Sequence, residues 1–126
     1  MHRILVVEDD NVLAMELAWF VQEAGYAVLG PERSVADARR ALARTAVDLA
    51  LLDITLGSET VFPLSQILEG LGVPFIFVTD TPALLPAEYR RRPLVPKPWQ
   101  PAVLLALIPQ LLGPQLPGPP LRGGRR

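Results

Sequence analysis

Short apolar runs alternate along the chain with longer segments in which apolar residues recur at helical spacing. A short uninterrupted apolar run is typical of a buried strand, whereas the longer periodic segments are typical of helices. Alternation of the two kinds predicts a doubly wound α/β fold, in which helices cover both faces of a parallel sheet. The predicted strands are residues 4–7, 27–29, 49–53, 75–78 and 94–95.

Three helices are predicted between the first four of these strands. The first is expected over residues 12–24, and Asp10 lies near its start, where a carboxylate is favourable against the helix dipole. The second follows Ser34, which with Asp37 resembles a capping box that uses the shorter acid. The third is expected over residues 61–71.

The last third of the chain is less regular. Three prolines crowd residues 81–93, so the fourth helix should be short or irregular and this segment should be the mobile part of the domain. The fifth and last helix is expected from Pro101 to Leu112. From residue 113 the sequence reads GPQLPGPPLRGGRR, a composition that predicts a disordered tail. The expected organisation is one folded domain over residues 1–112 and a tail over residues 113–126.

Composition excludes several classes of function. The 126 residues suffice for one domain, and 12 basic residues against 13 acidic ones give no positive field that would attract nucleic acid or anionic lipid. Cysteine is absent, which rules out thiolate metal sites and cysteine nucleophiles. No secretory signal pattern opens the chain, and its longest apolar stretch is too short to span a bilayer. We therefore expect a cytoplasmic protein without nucleic-acid or membrane partners.

Polar residues follow the predicted strands at their carboxyl ends, where functional groups gather in an open parallel sheet. Glu8 and Asp9 follow the first strand, and Asp53 ends the third. These two strands should be neighbours, which brings three carboxylates together. A hard divalent cation relieves their repulsion, and Mg²⁺ suits the site because it binds carboxylates, waters and phosphate oxygens. Thr79 and Lys97 follow the last two strands.

This set of residues suits phosphoryl transfer to a carboxylate. With Mg²⁺ bridging a phosphoryl group and Asp53, in-line attack needs mainly positioning and neutralisation of charge. Lys97 can supply a second positive charge. Thr79 can donate its hydroxyl to a phosphoryl oxygen, so its position would change once Asp53 is modified. The sequence therefore predicts a phosphorylation switch.

Four segments, RILVVEDD, DLALLDITLG, PFIFVTD and LVPKPW, match in order and spacing the landmarks of response-regulator receiver domains of bacterial two-component systems. The resemblance covers about residues 3–112. It implies a flavodoxin-like fold with strand order 2-1-3-4-5. It also implies a stand-alone receiver that takes a phosphoryl group from a histidine kinase or a phosphotransfer protein and signals by changed protein contacts. Its only expected catalysis is its own phosphoryl transfer and slow self-dephosphorylation.

The resemblance assigns a role to each site residue. It implies Asp53 as phosphoacceptor, Glu8 and Asp9 as the metal-binding acid pair, Thr55 as the donor of a backbone carbonyl to Mg²⁺, Thr79 as the hydroxyl switch, Lys97 as the phosphate-binding lysine and Pro98 as the residue of a cis-proline turn.

The phrases GPERSVADA and DITLGSETVFPL further resemble single-domain receivers found with alphaproteobacterial kinases. One subgroup of these ends its fourth strand in Phe-Ala-Thr-Gly, whereas the segment 77–80 here reads Phe-Val-Thr-Asp. Leu94 stands where many receivers carry an aromatic rotamer switch. The usual coupling of threonine to an aromatic side chain therefore cannot operate unchanged.

Two other functions, a pseudo-receiver and a phosphatase, are alternatives, and a flavin-binding module is a weaker third. A pseudo-receiver, which acts as an adaptor without phosphorylation, is favoured by Leu94 and by the proline-rich fourth helix and opposed by the intact acids and Lys97. A phosphatase with an aspartate nucleophile usually carries a second Asp two residues after the nucleophile. This chain has Thr55 at that position, which disfavours a phosphatase. A flavin-binding module is disfavoured because no Ser/Thr/Gly-rich phosphate loop follows the first strand.

The surface predictions concern two helices. Met15 and Trp19 share a face of the first helix and are expected in the core, with a role in a protein interface as the alternative. The last helix is apolar almost all round, which predicts an interaction face, most simply a homodimer interface that includes Leu104 and Ile108.

Overall fold

The computed structural model describes residues 1–113. The strands are β1 (Arg3–Val7), β2 (Ala27–Glu32), β3 (Leu49–Leu52), β4 (Thr55–Leu56), β5 (Glu59–Thr60), β6 (Phe75–Thr79) and β7 (Leu94–Pro96). The helices are α1 (Asn11–Glu23), α2 (Val35–Arg44), α3 (Phe62–Gly70) and α4 (Pro101–Leu112). Two 3₁₀ turns, Pro82–Leu84 and Ala87–Tyr89, replace a helix between β6 and β7.

The five long strands form one parallel sheet in the order β2-β1-β3-β6-β7, and β4 and β5 form a small antiparallel hairpin. Without the hairpin the order is 2-1-3-4-5, so the predicted fold is confirmed. The chain reverses its direction of winding between β1 and β3, and in such sheets the crevice at this switch point is the usual ligand site. The pairing of Val7 with Leu52 sets the two strand ends side by side.

Alternate strand residues point into two cores, one on each face of the sheet. Leu5 and Val7 contribute to the core that α2 and α3 cover, whereas Ile4 and Val6 contribute to the core that α1 and α4 cover. All four residues of β3 are fully buried. A continuous apolar strand is the pattern expected of a central strand in a sheet covered on both faces, and it provides a rigid base for Asp53.

The helix starts follow from local capping. The Asp10 carboxylate accepts a hydrogen bond from the Leu13 amide at 3.0 Å, so α1 begins one residue before the predicted start. The Ser34 hydroxyl accepts from the Asp37 amide at 3.1 Å, which confirms Ser34 as the N-cap of α2. The Asp37 carboxylate pairs with Arg40 further along the same helix.

Strand β2 runs three residues further than predicted. Gly30 has a φ of 96° and precedes Pro31, a pair that reads as a turn in the sequence. In the structure the strand continues through this irregularity to Glu32, whose carbonyl oxygen accepts from the Glu8 amide at 2.9 Å. A side chain at position 30 would lie 2.6 Å from the Glu32 amide and 2.9 Å from the Val6 carbonyl oxygen, so glycine is required there.

The segment 81–93 is irregular, as predicted. Tyr89 is buried within it and stacks on Phe62, with ring centroids 5.6 Å apart. Tyr89 also contacts Phe77 of β6 at 5.7 Å. Tyr89 thus attaches the segment to the core, as does Arg92, which pairs with Glu69 at 2.6 Å. The mobility of the segment stays a prediction.

The prediction that Met15 and Trp19 lie in the core is wrong. Met15 is 70% exposed and Trp19 is 64% exposed. The buried face of α1 is filled instead by Leu17, Phe20 and Val21. Because those three side chains occupy the core-facing stripe, Met15 and Trp19 project from the opposite side.

Two of the α4 residues expected at the interface are buried instead. Leu104 and Ile108 are fully buried, whereas Val103 and Leu105 are 40% and 49% exposed. Any dimer through this face would use the second pair, and the dimer itself stays a prediction. The tail predicted from residue 113 lies, apart from Gly113, outside the described residues. No helix of residues 1–113 is long and apolar enough to cross a membrane.

Candidate functional site

Three carboxylates meet at the carboxyl end of the sheet. One ligand oxygen from each of Glu8, Asp9 and Asp53 lies within 4.8 Å of the others. Glu8 and Asp53 are buried, whereas Asp9 is half-buried at the rim. The parallel register of β1 and β3 produces this geometry, because it makes Glu8 and Asp53 the first residues beyond two paired strands.

The ammonium of Lys97 lies between two of these acids. Its Nζ donates to Glu8 Oε1 at 2.6 Å and to Asp53 Oδ2 at 3.0 Å. The Lys97 amide donates to the Thr79 carbonyl oxygen at 2.9 Å, and the Lys97–Pro98 peptide bond is cis. The sequence predicted a positive charge from Lys97 at this site, but it did not predict the short contact with Glu8.

The electrostatics of the cluster follow from its burial. Burial raises the pKa of Glu8 to about 7, although the hydrogen bond from Lys97 and the one from the Asp10 amide act in the opposite direction. Burial lowers the pKa of Lys97, but its hydrogen bonds to Glu8 and Asp53 outweigh that effect and leave it raised. Lys97 therefore stays charged, and Glu8 exchanges a proton near neutral pH.

The second carboxylate oxygen of Asp53 differs from all other oxygens of the cluster. Asp53 Oδ1 is buried and has no hydrogen-bond partner among residues 1–113. A buried unpaired carboxylate oxygen is costly, since a desolvated acceptor loses its hydrogen bonds to water. The donor set around it consists of hard carboxylate oxygens, which fits Mg²⁺. The residues present therefore fit a magnesium ion, with Asp53 Oδ1 free to act as a ligand or as a nucleophile.

Asp9 also organises the rim of the site. Its Oδ2 accepts from the Gly57 amide at 2.7 Å, at the turn of the β4–β5 hairpin. Gly57 has a φ of 63°, a conformation that favours glycine. Arg33 donates to the Asp9 carbonyl oxygen at 3.0 Å. The hairpin that carries Thr55 is thus anchored to one of the candidate metal ligands, and the metal contact of the Thr55 carbonyl stays a prediction.

Thr79 lies in a chain of hydroxyl groups. It is fully buried, and its Oγ1 lies 3.0 Å from Thr81 Oγ1 and accepts from the Thr81 amide at 3.0 Å. Thr81 Oγ1 lies 3.4 Å from Thr55 Oγ1. Sequence reasoning missed Thr81. A threonine hydroxyl that accepts from the backbone amide two residues later is nevertheless a known local hydrogen-bonding pattern.

Comparison with known proteins places the chain among signalling domains. No family model matches it. It is 32% identical over 114 residues to the phyllosphere-induced regulator PhyR of Methylorubrum extorquens, and the match covers 86% of this chain and 43% of that protein's length. The chain thus spans less than half of this curated relative.

Two solved structures match nearly end to end. The PhyR response regulator REC domain of Erythrobacter litoralis is 31% identical with a TM-score of 0.78, and the match covers 91% of this chain and 95% of that one. SdrG of Sphingomonas melonis is 29% identical with a TM-score of 0.79, and the match covers 90% and 98%.

Proposed function

Because the chain belongs to the receiver-domain family of response regulators, we propose that it accepts a phosphoryl group on Asp53 from a histidine kinase or a phosphotransfer protein. The observation that carries the proposal is the asymmetry of the Asp53 carboxylate. Lys97 holds Oδ2 at 3.0 Å, whereas Oδ1 is buried and has no hydrogen-bond partner within residues 1–113. One oxygen is positioned and the other is available to react.

The chain's own residues supply most of what the transfer needs. Glu8, Asp9, Asp53 and the Thr55 carbonyl would hold Mg²⁺, which supplies neutralisation of the phosphoryl oxygens when bound. Asp53 Oδ1 attacks phosphorus, an O–P bond forms, and the N–P bond to the donor imidazole breaks with its electron pair returning to nitrogen. Lys97 is already oriented by two acids and moves its hydrogen bond to a phosphoryl oxygen.

The readout follows from the hydroxyl chain. A hydrogen bond from the Thr79 hydroxyl to a phosphoryl oxygen would compete with its 3.0 Å contact to Thr81 Oγ1, in which either hydroxyl can be the donor. Thr81 directly precedes the two 3₁₀ turns, so its release alters the segment 81–93. Leu94 is half-buried against the core and has no aromatic ring to move. The switch therefore acts through Thr79 and Thr81 rather than through an aromatic rotamer.

A phosphorylation-independent adaptor is the second candidate. Leu94 and the missing helix between β6 and β7 favour it, because both depart from the usual signalling elements. The complete acid cluster with its lysine opposes it, because an adaptor has no use for a buried carboxylate oxygen that lacks a partner. In either case we expect a cytoplasmic protein that works through protein contacts.

Incubation with acetyl phosphate tests the phosphoacceptor. The parent protein should gain one phosphoryl group by intact mass and shift on a Phos-tag gel, and chelation of Mg²⁺ should prevent both. Asp53→Asn should abolish the shift. Asp80→Asn, which changes an exposed acid just beyond β6, is the matched control and should keep it. A shift that persists in Asp53→Asn would refute the assignment, and a folded parent protein that is never labelled would favour the adaptor.

A further inference from the structure

A ring of three hydrogen bonds surrounds Asp9 at the rim of the carboxylate site. Asp9 Oδ2 accepts from the Gly57 amide at 2.7 Å, and the Asp9 carbonyl oxygen accepts from Arg33 at 3.0 Å. Glu59 Oε2 accepts from the Val35 amide at 3.1 Å. One residue of chain separates Gly57 from Glu59, and one separates Arg33 from Val35. The three bonds therefore join the β1–α1 loop, the β4–β5 hairpin and the β2–α2 loop into a closed ring, the Asp9 ring.

The end of β2 brings Arg33 to Asp9. The strand continues to Glu32, whose carbonyl oxygen accepts from the Glu8 amide at 2.9 Å. The residues that follow these two, Arg33 and Asp9, consequently lie side by side. The contact of Arg33 is to the Asp9 backbone, so it can fix this loop without neutralising the carboxylate.

Glu59 connects the hairpin to the start of α2. Val35 is the first residue of this helix, and its amide is among those that have no partner within the helix. The hydroxyl of the N-cap residue, Ser34, accepts from the Asp37 amide instead. The Glu59 carboxylate satisfies the Val35 amide, and its negative charge is favourable beside a helix N-terminus. The hairpin is therefore fixed to a rigid element of the fold.

Asp9 depends on the ring more than the other two acids do. Glu8 and Asp53 are buried and both accept from Lys97, whereas Asp9 is half-buried at the rim. Mg²⁺ requires nearly ideal octahedral geometry, so a ligand that can change its rotamer binds it less tightly. The ring fixes both the backbone and the carboxylate of Asp9, and the hairpin within it carries Thr55.

We propose that Arg33 and Glu59 are positioning residues for magnesium, which act through the Asp9 ring to hold the Asp9 carboxylate in the orientation that the ion requires. The inference deepens the proposed function and rests on it, because it concerns the same metal site. Neither residue needs to touch the ion. Removal of an outer partner that orients a metal ligand commonly weakens metal binding by about tenfold or more.

The charge of Arg33 and its positioning role predict opposite effects. A guanidinium near a cation site repels the ion, so its removal should strengthen Mg²⁺ binding if charge alone matters. Loss of a fixed Asp9 should instead weaken binding. For Glu59 the two effects have the same sign. The isosteric change Glu59→Gln separates them, because the glutamine amide oxygen can still accept from the Val35 amide but carries no charge.

Isothermal titration of Mg²⁺ into the full chain at pH 8 tests the proposal. Arg33→Met, which keeps the aliphatic stem without donors or charge, should raise the Kd about tenfold, and Glu59→Ala should do the same. Arg33→Lys and Glu59→Gln each retain the hydrogen-bonding group and should stay closer to the unmodified protein. Arg39→Met removes an exposed arginine of α2 and is the matched control, with an unchanged Kd. Equal or tighter binding by Arg33→Met would overturn the proposal, and so would equal losses in Glu59→Gln and Glu59→Ala.

The double variant Arg33→Met/Glu59→Ala tests whether the bonds act as a ring. Once one bond of a ring is broken, the other bonds no longer constrain Asp9. The double variant should therefore bind Mg²⁺ about as weakly as either single variant. Two independent contacts would instead multiply to a loss of about a hundredfold, and a loss of that size would overturn the ring.

Amide exchange of the metal-free protein gives a readout that needs no magnesium. The Gly57 amide should exchange faster in Arg33→Met and Glu59→Ala, while the Ala50 amide, which donates to the Pro74 carbonyl oxygen within the sheet, stays protected in all variants. Unchanged exchange of Gly57 would overturn the proposal. An unmodified protein that binds no Mg²⁺ would refute the proposed function together with this inference, whereas Mg²⁺ binding that none of the variants alters would refute this inference alone.

Discussion

The buried Glu8 carboxyl should couple magnesium binding to pH. Burial raises the pKa of Glu8 to about 7, so near neutral pH about half of the metal-free molecules carry a proton on it. A metal ligand must be deprotonated, and binding therefore releases that proton. Acidification below pH 7 should weaken Mg²⁺ binding through this one group.

The magnitude follows from the titration of Glu8. With a pKa of about 7, the ionised fraction falls from about 0.9 at pH 8 to about 0.1 at pH 6, which predicts about tenfold weaker affinity for Mg²⁺ at the lower pH. Protonation of Glu8 has the opposite effect on folding, because it stabilises the folded metal-free protein. The rise of its pKa from 4.5 to about 7 corresponds to about 3 kcal/mol of stability in the metal-free protein. That stability is complete below pH 4.5 and is lost as the pH rises through 7.

Isothermal titration with Mg²⁺ at pH 6, 7 and 8 measures the coupling. Repetition at pH 7 in buffers of different ionisation enthalpy gives the number of protons released, which should be about one half. Glu8→Gln cannot titrate and should flatten the pH dependence, whereas the exposed control Asp80→Asn should keep it. An affinity that is constant from pH 6 to pH 8, or an unchanged slope in Glu8→Gln, would refute the reasoning.

Two further substitutions probe the neighbours of this group. Lys97→Ala should lower the free energy of unfolding by about 3 kcal/mol at pH 8, because it leaves Glu8 and Asp53 facing each other without a cation. The loss should be smaller at pH 6, where Glu8 is largely protonated, and equal losses at both pH values in urea denaturation would contradict this. Thr81→Val should leave acetyl-phosphate labelling of Asp53 intact but reduce the change in amide exchange over residues 81–93 on phosphorylation, and an unchanged response would remove Thr81 from the switch.

The sequence by itself determined the class of fold and the strands that bear the site. A central strand as apolar as β3 can be satisfied only between two helical layers, so its burial could be predicted from its residues alone. The prediction that Glu8 and Asp53 lie close together also needed no side-chain geometry. Parallel strands that are neighbours end at the same edge of the sheet.

Tertiary structure decided the contacts that depend on distances between remote residues. Lys97 is 89 residues from Glu8 in the sequence. Its ammonium lies 2.6 Å from that acid because β7 pairs with β6 and ends at the turn that contains Pro98. The orientation of Trp19 was settled in the same way. Leu17, Phe20 and Val21 saturate the core-facing side of α1, so packing volume leaves a large apolar side chain in solvent although its local sequence pattern permits burial.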